Sequence, residues 1–449
     1  MLGSVMTEAL ITDLGKIRAL RVISRTTAMR FKGTDMPLRE IALELNVDVV
    51  VEGSAHRVGQ EAAITVRVIH AATENQLWSQ AYQRDVSNVL LLQSELARDI
   101  AREIEIAVTP REQALLATAK PVNVEAYEAY LKGLFHWYKL TPQDLETAFD
   151  YFQLAREKDP DYALAYVGIA DAIGTRAHAL GLVPSAEVYP QAKAAAQRAL
   201  ELDDTLAQAH DIMARIRWVW DRDTSAAEAG FMHAIALNPN WPYAPAVYSQ
   251  LLEATGRCEE AMEQAQRATE LDPYNSFLQI NYAARLSCLG DYDEAIERLE
   301  KVLSTEPNNA IALLYLWNAY HQKGMYDEAL GAATKHLELQ GFELTDALTR
   351  GGATAGYAGA MALAAATLAA HANTTFVQPT KVARLYAHAG QKDLALEWLE
   401  KAYEQHDTWM VYVKAEPPFE SLRGDPRFKD LMRRVDLADR IGPALQAIQ

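Results

Sequence analysis

Gly290 to Pro307 reads GDYDEAIERLEKVLSTEP, and this stretch decides the fold. A glycine supplies the left-handed cap that ends one helix. Tyr292 and the acidic Asp293–Glu294 open the next, where the helix dipole favours carboxylates. Ala295, Leu299 and Val302 are spaced by 4 and 3, which puts them on one helical face. Pro307 then stops the helix. The same sentence is written again on both sides. GMYDEA at Gly324 and the variant GRCEEA at Gly256 repeat the corner. Turns recur at Pro160, Asp204, Pro239, Pro273 and Pro307, with spacings of 44, 35, 34 and 34. The buried-face triplets recur upstream of them as Ala192/Ala196/Ala199, Ala227/Phe231/Ala234 and Ala261/Ala265/Ala268. The chain is therefore expected to be mainly α, a solenoid of helical hairpins with a period near 34.

With its Gly–Tyr–Ala–Phe/Leu–Ala–Pro spacing the array resembles the tetratricopeptide repeat, over residues 121–410. Three units depart from it. The first carries about three extra residues at its corner, and the second about ten, around GLVPSAEVYP. Residues 342–373 match only as a helical pair, and the unit from Thr380 recovers the pattern through Tyr386, Gly390, Ala395 and Ala402. The resemblance implies a right-handed solenoid with a concave groove lined by the first helix of each pair. By register, the groove-facing positions are Asp171, Asp211, Arg215, Trp218, Tyr243, Gln250, Glu253, Phe277, Ser287, Asn318 and His321. The alternative for each is packing between helices. Relatives that grip carboxylate-ended peptides carry Lys and Arg at such places. The positions here read as mixed or acidic, so the expected ligand is a neutral, basic or apolar protein segment.

Residues 1–112 follow another grammar, that of a small α/β domain with a mixed sheet. Thr7–Ile17 has helical spacing, LRVIS (20–24) reads as a short strand, and Pro37–Asn46 as a helix opened by proline. Three β-rich runs, 48–56, 62–71 and 76–84, are joined by the turns VGQE and ATEN. A long amphipathic helix spans Val86–Val108, ended by Thr109-Pro110. The runs TEALITDLGKI, LRVISRTTAMRFKG, REIALELNVDVVVEGSAHRVG, ITVRVIHAATENQLWSQAYQRDV and LLLQSELARDIAREI resemble the TolB amino-terminal-like domain of bacterial signalling proteins. In those, a tetratricopeptide array follows, and an adenylate cyclase, winged-helix (CadC-like) or kinase domain commonly precedes. The ending LALEWLEKAYEQHD…DPRFKDLMRRV resembles the same group, and residues 411–449 are expected to form a helical cap. The family has a strand before the first helix, which this chain lacks. A truncated or misassigned start would account for that, and would leave a sheet edge unpaired.

Charge separates the two portions. Of the net −17, residues 1–120 carry −1 and residues 121–449 carry −16. That balance weighs against direct nucleic-acid binding, which needs clustered cations. Two cysteines in 449 residues, Cys258 and Cys288, exclude a disulfide-built fold. No phosphate loop, dinucleotide fingerprint, kinase signature, G-x-S-x-G elbow or metal-binding spacing occurs, so no catalytic residue, cofactor or metal is expected. The uncharged stretch Gly351–Thr380 is long enough to cross a bilayer. It is mostly Ala and Gly among amphipathic helices, so a tightly packed soluble helix and a cytoplasmic chain are expected. The function expected is a non-enzymatic interaction, scaffolding or sensory module of a bacterial signalling protein. The alternatives are the regulatory part of a nucleotide cyclase or of a winged-helix regulator whose effector lies outside this chain.

Overall fold

The computed structural model describes residues 2–58, 61–85, 89–117, 123–139 and 141–435. The N-terminal portion contains α1 (Leu2–Gly15), α2 (Arg25–Arg30), α3 (Leu38–Leu45), β1 (Val49–Val58), β2 (Glu61–His70), β3 (Asn75–Asp85), α4 (Val89–Glu103) and α5 (Pro110–Ala117). The strands form one antiparallel sheet in the order β1-β2-β3. Val51 lies opposite Val68, and Val68 opposite Trp78. Alternation decides its two faces. Ile64, Val66, Val68 and Tyr82 point into a core with Leu14 and Ile17 and with Leu92, Leu96 and Ile100 of α4. Arg67 and Ser79 face solvent. Gly59 and Gln60 of the first turn lie outside the described residues.

Two expectations are corrected here. LRVIS is not a strand: its backbone is extended but bonds elsewhere, Val22 N–H to Asn240 Oδ1 at 2.9 Å and Ser24 N–H to the Leu271 carbonyl at 2.9 Å. The sheet is consequently antiparallel throughout. The helix assigned to Val86–Val108 stops at Glu103, because Glu105 takes φ +57°, and Pro110 opens α5 rather than closing α4.

The remainder is stacked helical hairpins. These are α6 (Val124–Trp137) with α7 (Pro142–Lys158), α8 (Ala163–Gly174) with α9 (Ser185–Leu202), α10 (Ala207–Val219) with α11 (Thr224–Leu237), and α12 (Tyr243–Ala254) with α13 (Cys258–Leu271). Then follow α14 (Ser276–Leu289) with α15 (Tyr292–Thr305), α16 (Ala310–Gln322) with α17 (Tyr326–Leu339), α18 (Thr345–His371), and α19 (Pro379–His388) with α20 (Lys392–Glu404). The quoted stretch behaves as read. Gly290 caps α14 at φ +86°, and Asp291 caps α15 by accepting from Glu294 N–H at 3.3 Å. Ala295, Leu299 and Val302 are buried, as are the equivalent triplets of the other hairpins. Cys258 and Cys288 are joined as a disulfide between α13 and α14, Cα atoms 5.8 Å apart, within a fold that repeats build.

Helix α18 is two helices in contact, broken at Ala355 and Gly356. It is the one helix among the described residues long and apolar enough to cross a membrane. Its second half buries Ala360, Met361, Ala364, Ala365 and Leu368 in the array core. That core runs on to Val435, through short 3₁₀ segments at Thr408–Tyr412 and Pro417–Leu422 and then α21 (Pro426–Arg434). Residues 436–449 of the expected cap lie outside the described residues.

Candidate functional site: the inner wall of the array

The first helices α8, α10, α12, α14, α16 and α19 form the inner wall, and the wall is occupied. The segment 408–422 lies against α10, α16 and α19 and the π-helical turn Thr175–Ala179 that extends α8. The far end of the array thereby meets its second hairpin. Lys381 Nζ donates to the Leu180 carbonyl at 3.0 Å, and His406 Nε2 lies 3.1 Å from the Trp220 carbonyl oxygen. The insertion GLVPSAEVYP supplies the near side of this closure, with Gly181 packed on Gln378.

Six sequence-assigned positions converge there. Arg215 donates to Asp171 at 2.8 Å and to Asp211 at 3.0 Å. Asp211 is wholly buried, which raises its carboxyl pKa against the opposing pull of Arg215. Trp218 meets Tyr412 edge to face with centroids 5.1 Å apart, and Tyr412 Oη donates to Gln250 Oε1 at 2.8 Å. Glu253 pairs with Arg285, which also reaches Ser249 and Asn281. Burial pushes the Glu253 pKa up, and Arg285 opposes it.

The other positions lie elsewhere. Ser287 and Asn318 line a cavity of about 900 Å³ between α12, α14 and α16 on one side and Tyr412, Glu416 and Phe428 on the other; the disulfide borders it. Tyr243 and Phe277 stack on each other, 6.1 Å between centroids, beside Trp137 and Trp241. Asn275 Nδ2 donates to Tyr243 Oη at 3.0 Å, which ties that row to a repeat turn. His321 packs among Tyr326, Tyr357 and His388, and burial lowers its pKa.

Register reading missed several residues of this wall. Arg384 makes two bonds to Glu416, at 2.7 and 3.1 Å, and lies over the Trp409 ring at 5.4 Å. His178 stacks on Trp409 at 5.4 Å and lies 3.0 Å from Thr408 Oγ1 and 3.2 Å from Tyr412 Oη. Burial, with Arg215 nearby, lowers the His178 pKa to about 4. The signal for Arg384 was present: it lies two residues before Tyr386, in a unit whose pattern is recognisable. With Arg285 and Lys381 it gives the wall buried cations that a mixed or acidic reading omits. The segment itself carries no repeat register and left no such signal. Among the described residues no group of three or more His, Cys, Asp or Glu is placed to hold a metal.

A family model described as tetratricopeptide repeat matches residues 289–337. The chain is 28% identical over 223 residues to "Putative adenylate cyclase 3" of Rhizobium meliloti, an alignment covering 50% of this chain and 38% of that protein. It thus spans well under half of that relative's length. Among solved structures it is similar to TTC0263, a thermophilic tetratricopeptide protein of Thermus thermophilus (16% identity, 43% of this chain and 98% of that one, TM-score 0.35). It is also similar to a human IFIT1 dimer with m7Gppp-AAAA (14% identity, 70% and 77%, TM-score 0.45). The matched stretch contains the Gly290–Pro307 corner, and the hairpins around it repeat the same geometry: the array is a tetratricopeptide-type α-solenoid.

Proposed function

We propose that this chain is the interaction module of a bacterial signalling protein and takes a partner segment on the inner wall of its repeat array. The observation that carries this reading is that the wall holds a stretch of polypeptide, 408–422, through side-chain contacts to Trp218, Gln250, His178 and Arg384. In this reading residues 1–112 are a TolB amino-terminal-like domain docked on the array, 121–410 the binding array and 411–449 its C-terminal part. The module works in the cytoplasm without catalysis or cofactor.

The test uses the full chain as bait, with Trp218→Ala and Gln250→Ala as controls that keep the helical circular-dichroism spectrum. A specific partner protein recovered by the natural chain and lost by both variants supports the reading. A partner retained by both variants, or no partner even for a Glu416→Gln chain whose segment 408–422 is loosened, sinks it.

A second reading is favoured by the relative named as an adenylate cyclase: the chain regulates a nucleotide cyclase domain carried elsewhere. Translating the DNA upstream of Met1 in frame discriminates, since a cyclase core would select this reading and a winged helix the transcriptional alternative.

A further inference from the structure

The residues on the inner wall belong to two parts of the same chain, and they divide as a receptor and a ligand would. On the ligand side, Thr408, Met410, Val411 and Val413 are at most 1% exposed, so the strand of chain is seated rather than merely draped. Much of its backbone bonds within the segment, Val413 N–H to the Met410 carbonyl, Ala415 N–H to Tyr412 and Phe419 N–H to Glu416, while the Lys392 side chain of α20 donates to the Ser421 carbonyl at 3.0 Å. Those bonds leave recognition to side chains. Besides Thr408, which contacts His178 and Ser185, three of these carry the specific contacts. Trp409 stacks on His178 and lies against Arg384, Tyr412 meets Trp218 edge to face and donates to Gln250, and Glu416 takes both arms of Arg384 while also accepting from the Trp409 indole. A forked guanidinium on a carboxylate is geometrically selective in a way that apolar burial is not. Arg384 is 4% exposed, so removing Glu416 leaves a buried cation without its partner.

We propose that residues 408–422 are an intramolecular ligand of the array, and that an outside partner competes with it. The partner is a peptide segment of the same chemistry, two aromatic side chains three residues apart followed four residues on by a carboxylate. The proposal rests on the reading that the inner wall binds a protein segment. It adds that the wall is closed at rest and names what opens it. Tethering raises the effective concentration of the built-in segment to the millimolar range, so it outcompetes a free copy of itself by about 10²-fold or more.

The test is complementation in trans. The full chain is prepared as the natural protein and as the triple variant Trp409→Ala/Tyr412→Ala/Glu416→Ala, and each is titrated with a fluorescent peptide of residues 406–423. The expected result is binding to the variant at least about 10-fold tighter than to the natural chain, with a rise in the variant's melting temperature on saturation. A peptide carrying the same three alanines should do neither. Equal binding to both proteins, or a folded variant that ignores the peptide, overturns the proposal. A variant that fails to fold and is not rescued by the peptide also overturns it, because the segment is then only core. Glu416→Gln, which keeps shape and removes charge, guards that last outcome: under the proposal it folds and binds the natural peptide measurably better than the natural chain does. If partner capture depends on Trp218 while the peptide experiment fails, the inner wall binds partners but the built-in ligand does not regulate it.

Discussion

Phe152 is almost fully buried between two glycines, Gly133 of α6 and Gly168 of α8. A Cβ on Gly168 would stand 2.5 Å from its ring, and Gly133 closes on the same ring, so something in this close-packed contact must shift. Gly168→Ala should therefore destabilise the array by about 1–3 kcal/mol through overpacking, read from urea unfolding. Chemistry at the same scale sets a pH dependence. His178, held down to about 4, stays neutral in the folded chain while an unfolded histidine protonates near 6.5. The unfolded state then binds more protons, so this residue's contribution is present above pH 6.5 and is lost as pH falls from 6.5 towards 4. Thermal melts across that window should show His178→Gln losing less stability than the natural chain, by about 1 kcal/mol or more at pH 5. Neither effect was legible beforehand. A glycine and a histidine on repeat helices look alike whether they face solvent or a ring.

At the scale of elements, repeating corners were readable and interruptions were not. Gly256, Gly290, Gly324 and Gly390 all take positive φ at their corners, as a glycine-capped hairpin requires. The Ala-rich stretch lacks the acidic cluster that marks those corners, so its break at Ala355–Gly356 could not be placed, although Gly356 takes φ +61° there. Its reason is contact: Gly351 and Gly359 bring the two halves together with backbone against backbone. Gly351→Ala should cost about 1–3 kcal/mol and loosen α18, seen as faster amide exchange in residues 357–368. LRVIS failed as a strand for a related reason. An apolar run reports that a segment wants burial, while its hydrogen-bond partners, here Asn240 and Leu271, are set by a distant repeat.

Over the whole molecule, two long-range joins complete the array. One docks the N-terminal portion on the repeat turns. Asn240 accepts from Val22 N–H and donates to the Gly15 carbonyl at 3.0 Å, while Thr27 donates to Asp272 at 2.6 Å in a buried site. Asn240→Ala strands both backbone groups, and should cost about 1–3 kcal/mol with loss of exchange protection at Val22. The other join is the closure over the segment 408–422. The sequence by itself determined the repeating hairpins and where their glycine corners fall. These follow from contacts between neighbours some 34 residues apart, and each repeat writes them again. Only the tertiary structure decided what fills the wall and what closes it. His178 to Thr408 and Tyr412 to Gln250 span 230 and 162 residues. Such contacts depend on the small rotation added at every hairpin. No single motif records that sum, so a segment without repeat register came to occupy the wall unannounced.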